Sequence, residues 1–185
     1  GLLNTEMGIA SRNLTVSTAG VVPGILRLAG EKLQVTLAVS LHAPDDQLRK
    51  RLMPGMTKWT IADLLNACRD YIVQTGRRIT FEYCLLDGVN DGEAEAQQLV
   101  KVLRGMNCHV NLIPFNQVIE LGLRPSSSQH IRAFREILAR GNIQVTERMQ
   151  RGTETMRFGW YLRVIAEGES ETGMPVRRVE RPTPE

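Results

Sequence analysis

Cysteine is scarce in this chain and poorly placed for shared chemistry. There are three residues, Cys68, Cys84 and Cys108, and no two of them have C-x-x-C spacing. That scatter excludes a disulfide framework and a zinc site built on cysteine pairs. Cys84 ends an apolar, strand-like run and Cys68 falls in a helical pattern, so both read as buried, inert thiols suited to a reducing cytosol. No apolar stretch approaches the ~20 residues of a membrane span and no signal peptide is visible, so a cytoplasmic protein without a membrane partner is expected. A Walker loop, a nucleophile elbow and a dinucleotide fingerprint are all missing. The chain opens at Gly1-Leu2-Leu3-Asn4 without an initiator Met, as a processed product or an excised piece does.

A strong excess of either charge is also missing: the net charge is +3 and the pI about 9.0, a mild basic balance. A polyanionic partner such as RNA is permitted but not demanded. The basic residues cluster at Arg49-Lys50-Arg51, at Arg77-Arg78, and at Arg148, Arg151, Arg157 and Arg163. Any one such cluster is most simply a solvated face.

What is present is a chain of 185 residues, 42% hydrophobic, long enough for one domain with a real core. Strand-like and helix-like patterns alternate along it. Strands are predicted at 13–18, 34–40, 78–85, 108–113 and 143–147. The second is nearly continuous in apolar residues, as when both faces are buried. Helices are predicted at 25–29, after a cap at Asp45 or Asp46, from Thr60 with Asp63 completing a capping box, from Glu93 to Gly105, and over 127–140. This order implies an α/β fold with a mainly parallel sheet. Five strands with about four helices make a partial (β/α) barrel, because a closed eightfold barrel needs ~200 residues or more. Residues 1–152 form this unit. Residues 153–185, rich in Glu, Arg, Gly and Pro, are expected to be a disordered or loosely docked tail.

Four runs end strands in small polar residues: Val16-Ser17-Thr18-Ala19-Gly20, Val39-Ser40-Leu41-His42-Ala43-Pro44, Leu86-Asp87-Gly88-Val89-Asn90-Asp91 and Asn111-Leu112-Ile113-Pro114-Phe115-Asn116. Parallel sheets bind ligands at that carboxyl edge. Ser17 and Ser40 are suited to donate to a carboxylate or a ribose hydroxyl. His42 can donate, accept or carry a proton, and Asn116 offers a donor and an acceptor on one amide. Singly, each is more often a turn, cap or structural residue. Together they point to one site. Asp87 and Asp91 read first as an Asx-type turn and second as a two-carboxylate metal or acid–base site. Glu82, inside a strand, needs a partner such as Arg or a backbone donor if it faces a barrel interior.

In order, V-S-T-A-G-V-V-P-G-I, A-V-S-L-H-A-P-D-D-Q-L-R, F-E-Y-C-L-L-D-G-V-N-D and H-V-N-L-I-P-F-N resemble the second half of the RlmN/Cfr family, over about residues 8–152. These are radical S-adenosylmethionine methyltransferases that modify adenosine in RNA, and the likeness is greatest to RlmN, which acts on carbon 2 in 23S rRNA and tRNA. The resemblance implies a partial barrel of radical-SAM type in which Ser17, Ser40, Leu41, His42 and Asn116 contact S-adenosylmethionine. It also implies a [4Fe–4S] cluster in the complete enzyme. The basic residues Arg49, Lys50, Arg51, Arg148 and Arg151 are separate candidates for contacts with RNA.

Two departures stand out. The family's cluster cysteines, its Gly-Glu-Pro motif and its catalytic Glu belong before Gly1, in a missing N-terminal half. The methyl-carrying Cys-Gly pair is replaced after Arg151-Gly152 by Thr153-Glu154-Thr155-Met156-Arg157-Phe158. A one-base slip accounts for the second, since ATG-CGG-TTT read one base on gives TGC-GGT, Cys-Gly. The chain alone is therefore expected to be inactive. The rival expectations are a weak cofactor- or RNA-binding module and a half-barrel that dimerises over its open sheet edge.

Overall fold

A computed structural model describes residues 14–55, 58–115 and 123–147. Five strands alternate with five helices: β1 (Thr15–Thr18), α1 (Val22–Gly30), β2 (Thr36–Ser40), α2 (Asp46–Leu52), α3 (Ile61–Thr75), β3 (Ile79–Leu85), α4 (Glu93–Leu103), β4 (Cys108–Pro114), α5 (Ser128–Arg140) and β5 (Gln144–Glu147). The strands form one sheet in sequence order, every pair parallel. The α/β architecture, the strand ranges and the five helix positions thus match expectation. The tail at 153–185 lies outside the described residues, as do Asn116, Arg148 and Arg151.

Local chemistry sets the element boundaries. The Asp45 side chain accepts from the Leu48 amide at 2.9 Å and starts α2. Thr60 and Asp63 form the full capping box of α3, each side chain taking the other's backbone N–H at 3.1 and 3.0 Å. Gly76, at φ +66°, ends α3 in the left-handed conformation that glycine adopts without strain. Gly105 ends the fourth predicted helix early, so α4 stops at Leu103.

The two faces of the sheet differ in kind. Leu37, Val39, Phe81, Tyr83, Val110 and Leu112 point to one side and pack against Ile25, Leu64, Leu99 and Phe134 of the helices, forming the core. Register partners across a parallel sheet project to the same face. The opposite face therefore carries Ser17 beside Ala38, Ala38 beside Thr80, and then Ser40, Glu82, Asn111 and Thr146 in one row. This second face is polar. A sheet covered by helices on one side and polar on the other is one wall of a barrel whose interior is meant to be lined, not filled with apolar side chains.

Candidate functional site at the carboxyl edge of the sheet

All five strands run the same way, so every strand-end run except that of Asn116 is seen at one edge. Ser40, Leu41 and His42 lie together, buried, where β2 ends. The amides of Leu41 and His42 both donate to the Glu82 carbonyl, at 3.0 and 3.3 Å, so the chain turns back over β3. His42 adopts φ +57°, an unusual conformation for a residue with a β-carbon. Two hydrogen bonds and burial hold it. Its Nδ1 accepts from the Cys84 amide at 3.0 Å, its carbonyl accepts from Asn90 Nδ2 at 2.9 Å, and burial leaves it only 9% exposed.

A backbone amide can only donate, so Nδ1 of His42 is unprotonated and the neutral ring carries its proton on Nε2. Burial, assisted by the nearby Arg49 charge, lowers the His42 pKa to about 4. At neutral pH the ring is therefore a hydrogen-bond donor and not a proton carrier. That narrows the three roles open to it in the sequence to one.

Asn90 organises this edge, and its importance is not evident from the sequence. It is fully buried. Its Nδ2 donates to the carbonyls of His42 and Cys84 at 2.9 and 2.7 Å, and its Oδ1 accepts from the Leu86 amide at 2.8 Å. Its own carbonyl accepts from the Tyr83 hydroxyl at 2.9 Å. One amide thereby ties the end of β2 to the end of β3. A buried Asn inside L-D-G-V-N-D reads locally as a turn residue, and only strand adjacency gives it long-range partners.

Arg49 departs from its expected place on an RNA-facing surface. Its side chain is 1% exposed and turned inward, where Nη2 donates to the Ala19 carbonyl at 2.6 Å. Burial lowers its pKa, and Asp46 opposes that effect. A Cβ on Gly20, itself at φ +103°, would stand 2.7 Å from the same nitrogen, so only glycine fits beneath the guanidinium. Arg49 thus fastens the Val16–Gly20 run to the helix that follows His42. Lys50 and Arg51 are exposed on α2 as expected.

Ser17 is exposed on β1, which pairs with β2 alone among the described residues. Beside it a groove of about 340 Å³ runs between β1 and α1, lined by Val16, Thr18, Ile25, Leu28 and Leu37 as well as Ser17. Asp91 closes the 87–91 turn from its far end, its Oδ1 accepting from the Gly88 amide three residues back at 2.9 Å instead of from an amide ahead of it as in an Asx turn. Its Oδ2 also meets His130 Nδ1 at 3.0 Å, with Asp87 at 3.8 Å, which pins the turn to the start of α5. These three are the one ligating cluster among the described residues.

The three cysteines lie on different elements, α3, β3 and β4, and all are buried. Burial pushes Cys68 and Cys84 up to about 12 and Cys108 to about 11, as for inert core thiols. No helix among the described residues is long and apolar enough to cross a membrane.

A parallel β/α sheet with helices on one face and polar residues on the other has the build of a partial β/α barrel. No family model matches the chain. Comparison with curated proteins is decisive instead. Over 155 residues the chain is 48% identical to a protein of Lachnospira eligens named "Probable dual-specificity RNA methyltransferase RlmN", covering 83% of this chain and 44% of that protein. A protein of the same name from Pelotomaculum thermopropionicum is 53% identical over 147 residues, 79% of this chain and 40% of its own length. The crystal structure of a radical SAM methyltransferase from Sphaerobacter thermophilus superposes with a TM-score of 0.78 at 49% identity, covering 81% of this chain and 45% of that one. A domain of pyruvate-formate lyase-activating enzyme from Bacteroides vulgatus, at 16% identity and TM-score 0.55, shares the fold alone. Over most of its length the chain is thus similar to RlmN-type radical S-adenosylmethionine methyltransferases, and it spans less than half the length of the curated relatives it matches.

Proposed function

We propose that this chain forms the later strands of a radical S-adenosylmethionine barrel. In it the carboxyl edge is one wall of the cofactor pocket of an enzyme that methylates carbon 2 of adenosine in 23S rRNA and tRNA. The observation that carries this reading is the convergence of Ser40, Leu41 and His42 at one sheet edge, held by Asn90, with Ser17 on the same face. When bound, S-adenosylmethionine supplies the methyl group. This chain's residues bind and orient it: Ser17 and Ser40 offer hydroxyls, His42 donates from Nε2, and Asn116 adds an amide. The backbone at His42 is fixed in advance, which reduces the ordering cost of binding.

The matched region is less than half of its relatives' length, and the cluster and radical generation are assigned in this reading to the part of the protein N-terminal to it. The chain by itself is expected to bind the cofactor weakly and to transfer no methyl group. Lys50, Arg51, Arg148 and Arg151 are the residues proposed to meet RNA phosphates, in a cytoplasmic setting. Calorimetry with S-adenosylmethionine tests the pocket, and RNA affinity measured across salt concentrations tests the basic residues, since phosphate contacts weaken as salt rises. Absence of both interactions overturns the reading. So does methyl transfer to RNA by the isolated chain, which would refute the division of labour.

A further inference from the structure

The row Ser40, Glu82, Asn111 and Thr146 crosses β2 to β5 in register, level with the end of β2 and midway along β3 and β4. Glu82 is half-buried on the polar face, on the strand directly beside Ser40. Its Oε2 accepts from Asn111 Nδ2 at 2.8 Å. Asn111 is thus one partner of the carboxylate that the sequence marks as needing partners.

The direction of the whole row follows from that one bond. A carboxylate only accepts, so Asn111 must present its nitrogen to Glu82 and its oxygen to Thr146. The Thr146 hydroxyl donates to Asn111 Oδ1 at 3.3 Å, which uses its single proton. The 2.9 Å contact between Thr146 Oγ1 and His109 Nε2 is then a donation from the ring. Every proton in the chain from His109 to Thr146 to Asn111 points towards Glu82. The row holds one carboxylate as an acceptor on the polar face of the sheet.

We propose that Glu82 accepts the hydroxyls of an adenosyl ribose bound at this sheet edge, a role that rests on the cofactor-pocket reading above. The ligand must bring donors, which argues against phosphate. A carboxylate accepts up to about four hydrogen bonds, so with Asn111 and a further protein contact it still has room for a diol. Vicinal ribose hydroxyls suit one carboxylate, and an acidic residue at a strand end plays this part in dinucleotide-binding sheets. Two sources supply the same chemistry: the ribose of S-adenosylmethionine and that of an RNA adenosine.

A binding cycle tests this on the 185-residue chain. S-Adenosylhomocysteine and its 2′-deoxy counterpart are titrated into wild type and Glu82→Gln, with an adenosine-containing RNA and the DNA of the same sequence as the second arm. Wild type is expected to favour the ribo ligand by ~10-fold, and Glu82→Gln to erase that preference, as befits a bond to a charged acceptor. Coupling in the first arm assigns the ribose to the cofactor, and coupling in the second assigns it to RNA. Binding in wild type with an equal ribo preference in Glu82→Gln overturns the role of Glu82 while leaving the pocket standing. No binding of either ligand by wild type overturns both. If Glu82→Gln fails to unfold cooperatively, the ¹³C-carboxyl resonance of Glu82 in wild type decides. It should move with the ribo ligand and not with the deoxy ligand, and a resonance that stays still overturns the proposal.

Discussion

Replacing Asn90 by Ala should cost more stability than its place in a turn suggests. The substitution removes three side-chain bonds: to the His42 carbonyl at 2.9 Å, to the Cys84 carbonyl at 2.7 Å and from the Leu86 amide at 2.8 Å. Asn90 is 0% exposed, and Cys84 and Leu86 are each 2% exposed, so water has no ready route to replace what is lost. At about 1 kcal/mol for each buried bond, the loss is about 3 kcal/mol. Urea unfolding followed by far-UV circular dichroism reads this directly. With m near 2 kcal/mol/M, the midpoint should fall by roughly 1.5 M at unchanged m. The His42 ring, no longer anchored through its own carbonyl, should also show a broadened ¹⁵N–¹H spectrum. A midpoint within about 0.2 M of wild type, with His42 undisturbed, would refute the view that Asn90 ties the two strand ends together.

Further outcomes follow from the same contacts. His42 titrates near 6.5 when unfolded and near 4 when folded, so its contribution is complete above 6.5 and is lost as pH falls towards 4, amounting to about 3 kcal/mol. Unfolding midpoints from pH 7 to 4 should decline more steeply in wild type than in His42→Asn, and equal slopes would contradict the buried neutral ring. Arg49→Met should lose about 2 kcal/mol with the Ala19 bond and raise the His42 pKa, as followed by NMR titration. Gly20→Ala should destabilise by about 2 kcal/mol through its φ of +103° and its crowding against Arg49, measurable as a lower thermal midpoint. Thr60→Ala should remove about 1 kcal/mol from the α3 cap in the same assay.

Much of this architecture was legible in the residues because its signals are local. The 34–40 run is apolar enough to be a doubly buried strand, and Thr60 with Asp63 marks a helix start. Both signals act within a few residues of their own positions. The polar strand ends were equally plain, since each falls where an apolar run stops. What was not legible depends on which strands lie side by side. Asn90 looks like a turn residue until β2 is placed beside β3, and Arg49 looks like part of a basic surface run until Ala19 and Gly20 arrive beneath it. Glu82 could be flagged as needing a partner, but its partner sits 29 positions away on β4. The tautomer of His42 likewise follows from an amide 42 positions distant.

The central claim is that the polar ends of these parallel strands make one nucleoside-binding pocket. Titrating ¹⁵N-labelled chain with S-adenosylmethionine and mapping the amide shifts tests it most directly. The account predicts shifts gathered at Ser17, Ser40, Leu41 and His42, with Ile79 and Cys108 at the opposite ends of their strands unmoved. Shifts confined to Lys50 and Arg51, or no shifts at saturating ligand, would contradict it.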